Sequence, residues 1–174
     1  SIADLVQEDA KHAVRALRSL MAYLRYALQP AGLPTVPLSE EIKTVESYLT
    51  IEKVRFEERL TVTVETTPEA DNVYVPGFML QPLVENAIKY GMRTSPMPLE
   101  IGIHAAIVAG ALHLEVYNSG SLAVPEHITK PEGTGTGLRN IRERLQVLFP
   151  GRHEFSLLEE SGKVYVRIVL YSAQ

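Results

Sequence analysis

The constraint that bears hardest on the fold is a change of hydrophobic period along the chain. Leu60, Val62 and Val64 alternate with Thr61, Thr63 and Glu65, the period-two pattern of a half-buried strand. Leu99–Val108 and Ala111–Tyr117 repeat it on either side of Ala109–Gly110, and His153–Leu158 and Val164–Leu170 repeat it around a turn at Glu159–Lys163. Between these strand pairs the period returns to three and four: 39–58 behind Ser39 as N-cap, Phe78–Gly91 with the glycine as its stop, and Gly137–Phe149 closed by Pro150–Gly151. Glu40 and Glu41 fall in the first turn of their helix, where the macrodipole favours carboxylates. Asn72–Pro76 reads as a short strand and 118–136 as a long polar loop. Hairpins interleaved with helices predict an antiparallel-rich mixed sheet with helices on one face, a two-layer α/β sandwich.

Residues 2–28 carry an apolar seam, Ile2, Leu5, Val6, Ala10, Ala13, Leu17, Leu20, Leu24 and Leu28, without Pro or Gly. A helix of that length packs on another helix or on its own core. The segment QPAGLPTVP then breaks the pattern as a linker. Composition narrows the classes. Of 174 residues, 45% are apolar, enough for a core, and the net charge of -4 argues against nucleic-acid binding driven by overall charge. The absence of cysteine removes disulfides, thiolate metal sites and a cysteine nucleophile. No apolar run approaches the roughly 18–20 residues of a membrane span, and the first ten residues lack the basic start of a signal peptide.

Three segments could carry chemistry. In LQPLVENAIKYG, Asn86, Lys89 and Tyr90 share a helix face, offering an amide oxygen to Mg²⁺, a cation to phosphate and a ring to a base. The same face also reads as a solvated one, with Glu85 pairing Lys89. In GTGTGLRN, glycines precede a helix start whose free N–H groups suit an anion, although the spacing matches neither the Walker loop nor the Rossmann fingerprint. In VYNSG, Asn118 could hydrogen-bond a base edge and Gly120 would let a ring approach; Asn-Ser-Gly is equally turn chemistry.

In this order the segments are more specific than they are apart. An Asn-bearing helix, a strand ending Asn-x-Gly, a long loop and a Gly-x-Gly-x-Gly helix start resemble the Bergerat ATP-binding fold of the GHKL superfamily. LQPLVENAIKYG, GTGTGLRNIRERL, LRYAL and SEEIKTVESYLTIEKVRFEERL are similar to the LytS/YehU-type sensor histidine kinases over nearly all of the chain.

That resemblance implies a division into residues 1–30, the end of a dimerisation and phosphoacceptor helical region, and 31–174, a catalytic and ATP-binding domain. It implies ATP and Mg²⁺ as ligands. Asn86 matches the Mg²⁺-binding asparagine, and Lys89 and Tyr90 match positions that contact phosphate and nucleotide. Glu85 matches a residue that assists proton removal or orients its neighbours. Gly133, Thr134, Gly135, Thr136, Gly137 and Leu138 match the box that closes a lid, roughly Ser121–Thr136, on the phosphates. Asn118 and Gly120 match the adenine-reading motif. Most of the superfamily has Asp where this chain has Asn118, whose amide oxygen accepts the adenine N6 hydrogen without charge assistance.

The family's phosphoacceptor His lies in a Pro-His-Phe-Leu-Phe-Asn phrase that this chain does not contain, and His12 does not inherit the role. His104, His113, His127 and His153 have no metal-ligand spacing. The implied reaction moves the ATP γ-phosphoryl to a histidine outside the fragment, for relay to a response regulator. The implied protein is a homodimer at full length. The fragment is expected to be cytoplasmic, with no nucleic-acid or direct membrane contact, within a membrane-anchored parent. Arg139 and Arg142 are candidate charges near the phosphates, or a solvated basic face. The alternative is a nucleotide-binding pseudokinase or scaffold, which Asn118 keeps open. An ATP-hydrolysing machine would need a Glu four residues before Asn86, where Pro82 stands. An anti-sigma serine kinase would lack the helix read at 2–28.

Overall fold

The computed structural model describes residues 35–122 and 136–172; the helix expected over 2–28 and Gly133, Thr134 and Gly135 lie outside them. The chain divides into two units, Ser1–Pro34 and Thr35–Gln174, and every described element belongs to the second.

The elements run β1 (Thr35–Pro37), α1 (Leu38–Phe56), a 3-10 turn (Glu57–Arg59), β2 (Leu60–Thr66), α2 (Pro68–Asp71), β3 (Tyr74–Pro76), α3 (Leu80–Thr94), β4 (Leu99–Val108), β5 (Ala111–Ser119), α4 (Thr136–Leu148), β6 (His153–Glu160) and β7 (Lys163–Tyr171). The larger sheet has the order β2-β4-β5-β7-β6. Its β2–β4 pair is parallel, Leu60 opposite Leu99, and every other pair is antiparallel. The mixed α/β sheet predicted from hydropathy is therefore present. The two hairpin turns have left-handed residues, Ala109 and Gly110 in one and Ser161 and Gly162 in the other, the backbone that matches strand twist.

Three expectations need correction. The end of the supposed linker is a strand, Thr35–Pro37, pairing antiparallel with Tyr74–Pro76. Ser39 is not the N-cap: α1 starts at Leu38 behind Pro37, without a side-chain cap. The helix predicted to stop at Gly91 runs on to Thr94. A glycine in a helix costs about 1 kcal/mol relative to Ala, a preference that tertiary packing overrides here.

The core lies between the sheet and the helices. Leu38, Ile42, Val45 and Leu49 of α1 are buried at alternating spacings of four and three. Leu83, Val84, Ala87 and Ile88 of α3 and Ile141 and Leu145 of α4 join Ile101, Ile103, Leu114, Val116 and Ile168 from the strands in one cluster. Burying each large side chain of this kind contributes about 1.5–3 kcal/mol.

The other side chains of the central strands form a polar surface. Tyr117 and Tyr165 are cross-strand partners with ring centroids 5.5 Å apart. Arg167 pairs with Glu115 and Glu160, and Lys163 with Glu100 at 3.0 Å. The hydrogen bond to Glu100 is the main reason the Lys163 ammonium holds its proton above its ordinary range. A raised folded-state pKa stabilises below the unfolded value and loses that contribution as pH rises through the folded one. The pair is partly exposed, so Glu100→Gln is expected to cost only about 0.5 kcal/mol at pH 7 in urea unfolding. The difference from the unaltered chain should shrink as the pH is taken above about 10.5.

Candidate functional site

The site is built on α3. Its buried face is Leu80, Leu83, Val84, Ala87, Ile88 and Gly91. That seam leaves Asn86 and Tyr90, four residues apart and half-buried, at the edge of the core. Pro82 stands in the first turn, where a missing N–H breaks no intrahelical bond.

Met79, the N-cap residue, supplies no side-chain hydrogen bond. The cap comes from 38 residues earlier in the chain. Glu41 of α1, buried, accepts the N–H of Phe78 on Oε1 at 2.5 Å and those of Met79 and Leu80 on Oε2 at 2.7 and 2.9 Å. Glu41 thus serves the N-terminus of α3 as well as standing in the first turn of its own helix. Phe78 takes a left-handed backbone, φ 59°, that turns these N–H groups toward one carboxylate.

The far end of α3 is fitted to the sheet by close approach. A Cβ at Gly91 would lie 2.5 Å from Leu99 Cδ1 and 3.2 Å from Asn118 Nδ2. Gly91 is therefore the point where α3 touches β4 and β5. The Thr94 hydroxyl donates to the Tyr90 carbonyl at 3.1 Å and accepts the Ser121 N–H at 3.2 Å. Gly120 has φ 115°, and its N–H donates to the Gly162 carbonyl at 2.9 Å. Ser119 Oγ accepts the Glu100 N–H at 2.9 Å and bonds Ser95 Oγ at 2.5 Å, tying β5 to β4 and the end of α3.

Between α3 and the sheet lies a cavity of about 260 Å³. Asn86 and Tyr90 line it from α3, Asn118 from β5 and Leu138 from α4. Its remaining walls are mostly apolar, including Val116 of β5, Leu157 of β6 and Val164 and Val166 of β7. Asn118 is 6% exposed, and its Nδ2 donates to the Ser119 carbonyl at 2.7 Å. Gly137, at the start of α4, faces Asn86: a Cβ there would come 3.5 Å from Asn86 Nδ2. A few apolar walls with well-placed polar groups are what a small-molecule pocket requires.

The residues singled out in the sequence thus divide. Asn86, Tyr90, Asn118 and Leu138 share one cavity, with Gly137 against Asn86 and Gly120 beside Thr94 at the rim. Glu85 and Lys89 are not lining residues. Glu85 accepts a hydrogen bond from Gln81 Nε2 at 2.9 Å, and Lys89 Nζ lies 5.3 Å from the Tyr90 ring centroid. Thr136 begins α4. Asn118 and Ser119, expected to open the loop over 118–136, belong to β5 instead, and residues 123–135 lie outside the described ones. Arg142 lies over the Phe155 ring at 4.6 Å, and Arg139 is 3.7 Å from Glu143. Sequence reading missed the apolar walls from β6 and β7 and the Glu41 cap; neither has a local signal.

The sequence is 31% identical over 179 aligned residues to the sensor protein LytS of Enterococcus faecalis, an alignment covering 97% of this chain and 30% of that protein. The chain is homologous to sensor histidine kinases. The sensor histidine kinase BtsS of Escherichia coli is 32% identical over 98% of the chain and 29% of its own length, so the chain spans about a third of these kinases. The histidine kinase family model matches residues 1–60. Among solved structures, the nucleotide-free catalytic domain of the histidine kinase ThkA superposes with a TM-score of 0.57 at 20% identity, covering 79% of this chain and 94% of that one. The Acinetobacter baumannii histidine kinase AdeS superposes at 0.56 and 17% identity, over 94% of this chain and 79% of that one. The fold is that of histidine kinase catalytic domains. No helix among the described residues is long and apolar enough to cross a membrane.

Proposed function

We propose that this chain is the ATP-binding catalytic part of a sensor histidine kinase, transferring the γ-phosphoryl of ATP to a histidine that lies outside it. The observation that carries this reading is the convergence of Asn86, Tyr90, Asn118 and Leu138, from three separate elements, on one cavity. The apolar walls and the Tyr90 ring take the base. The Asn118 amide is held by the Ser119 carbonyl through Nδ2, which leaves Oδ1 to accept from an exocyclic amine.

Mg²⁺ takes oxygen ligands, keeps several waters and shares its shell with substrate phosphates. Among the described residues no three His, Cys, Asp or Glu side chains gather into a metal site. The amide of Asn86, on the cavity wall, offers an oxygen that fits an ion arriving on the phosphates. When bound, the ion neutralises phosphate charge. The chain's own contribution is positioning: Asn86 fixes one end of the triphosphate, the main-chain N–H groups at Gly133, Gly135 and Gly137 receive it, and Lys89 adds a cation. Glu85 orients this helix face or assists proton removal from the acceptor. Residues 1–30 belong to the dimerisation and phosphoacceptor region and 31–174 to the catalytic domain. Relay to a response regulator, homodimer formation and a cytoplasmic location in a membrane-anchored parent complete the reading. In support, a structure of the histidine kinase ThkA in complex with the response regulator protein TrrA superposes with a TM-score of 0.55 at 18% identity, over 97% of this chain and 56% of that one.

Calorimetric titration with a non-hydrolysable ATP analogue, with and without Mg²⁺, tests the nucleotide site. Saturable, Mg²⁺-dependent binding is expected; no heat under either condition would overturn the reading. Phosphoryl transfer to a Pro-His-Phe-Leu-Phe-Asn segment supplied in trans tests the reaction itself.

A further inference from the structure

We propose that Glu41 is a positioning residue for the nucleotide site, holding through the main chain of residues 78–80 the helix that carries Asn86. The proposal rests on the reading of the cavity as a nucleotide site. One buried carboxylate accepts three consecutive N–H groups, from Phe78, Met79 and Leu80. Hydrogen bonds to an ionised acceptor are about twice as strong as neutral ones, and an anion at a helix start is favoured by the macrodipole. The left-handed Phe78 is a conformation an L-residue adopts only when its surroundings dictate it. These bonds therefore fix both the position and the direction of the first turn of α3 against α1.

Asn86 follows Leu80 by six residues, about 9 Å along a helix axis. A helix transmits a tilt at its start to that distance, and there is little slack at the other end. Gly91, five residues beyond Asn86, leaves no room for a side chain against Leu99, where a Cβ would lie 2.5 Å from Cδ1. Loss of the cap shifts Asn86 relative to α4 and Asn118 without removing any group that touches a ligand.

Glu52 provides the comparison. It is 1% exposed on the same helix, eleven residues or about 16 Å further along the axis, and forms an ion pair with Arg55 of that helix at 3.1 Å. A carboxylate that matters only for stability would behave alike at both positions. The experiment compares Glu41→Gln and Glu52→Gln with the unaltered chain. It measures Mg²⁺-dependent affinity for a non-hydrolysable ATP analogue, at a temperature where circular dichroism finds all three folded. Glu41→Gln should weaken binding about tenfold, and Glu52→Gln less than twofold while still lowering the melting temperature. Hydrogen exchange at the amides of residues 78–80, read without nucleotide, should quicken in Glu41→Gln alone. If Glu41→Gln does not fold, Glu41→Asp, which keeps the charge but shortens its reach, carries the same comparison with a loss of several-fold.

Unchanged affinity in the Glu41 variant, or equal losses in both variants, would overturn the positioning role and leave the nucleotide reading intact. Failure of the unaltered chain to bind at all would instead overturn the nucleotide reading, and this proposal with it.

Discussion

Asn86→Ala is expected to weaken Mg²⁺-dependent nucleotide binding about a hundredfold, equivalent to about 2.7 kcal/mol, while leaving the fold unharmed. The two halves of this expectation have separate physical origins. Asn86 lines the cavity and does not belong to the buried seam of α3, so truncating it opens no hole in the core. Ala is also the better helix former by up to about 0.7 kcal/mol, so the melting temperature should hold or rise slightly. What the substitution removes is the amide oxygen proposed to face the metal-bound phosphates. Calorimetry with and without Mg²⁺ reads the first half, and thermal unfolding the second. Affinity equal to that of the unaltered chain would remove Asn86 from the site. A large fall in stability would make it a structural residue.

Gly120→Ala should act in the reverse manner, through the fold first. Gly120 has φ 115°, where an L-side chain is strained by about 1–3 kcal/mol. An added Cβ would also lie 2.4 Å from Thr94 Oγ1 and 3.0–3.1 Å from main-chain atoms of Ser95 and Thr94, which cannot swing aside as a side chain can. Together these effects are expected to cost about 2–4 kcal/mol and to lower the melting temperature by roughly 10 °C. Because Thr94, Ser121 and Leu122 line the cavity, nucleotide affinity should fall as well. Thermal unfolding without nucleotide checks the primary effect; a shift below about 2 °C would mean that the turn relaxes freely.

Much of this was readable because its signals are local. Period-two alternation gave the hairpins nearly to the residue, as at Leu99–Val108 and Ala111–Ser119, since one face of each strand is buried. Asn86, Tyr90, Asn118 and Leu138 were found through motif order, and the cavity unites them. The misreadings are places where distant contacts override local preference. Gly91 reads locally as a helix stop, yet the helix passes through it to Thr94, and glycine stands there because Leu99 and Asn118 occupy the space a side chain would fill. Glu41 looked like an ordinary first-turn carboxylate, because nothing in the residues around it reveals partners 37 to 39 positions later. Asn118 is a separate matter: its amide donates to the carbonyl of the adjacent Ser119, a use for the nitrogen that a carboxylate would lack.

The parallel pairing of β2 with β4 has an entropic corollary. Residues 60–66 meet 99–105 only across a connection that contains α2, β3 and the whole of α3. Closing that loop is entropically unfavourable until the chain within it has collapsed onto the sheet. Docking of the helix that bears Asn86 shortens the span that β2 and β4 must close, so the scaffold of the binding site and the sheet's parallel pairing favour one another.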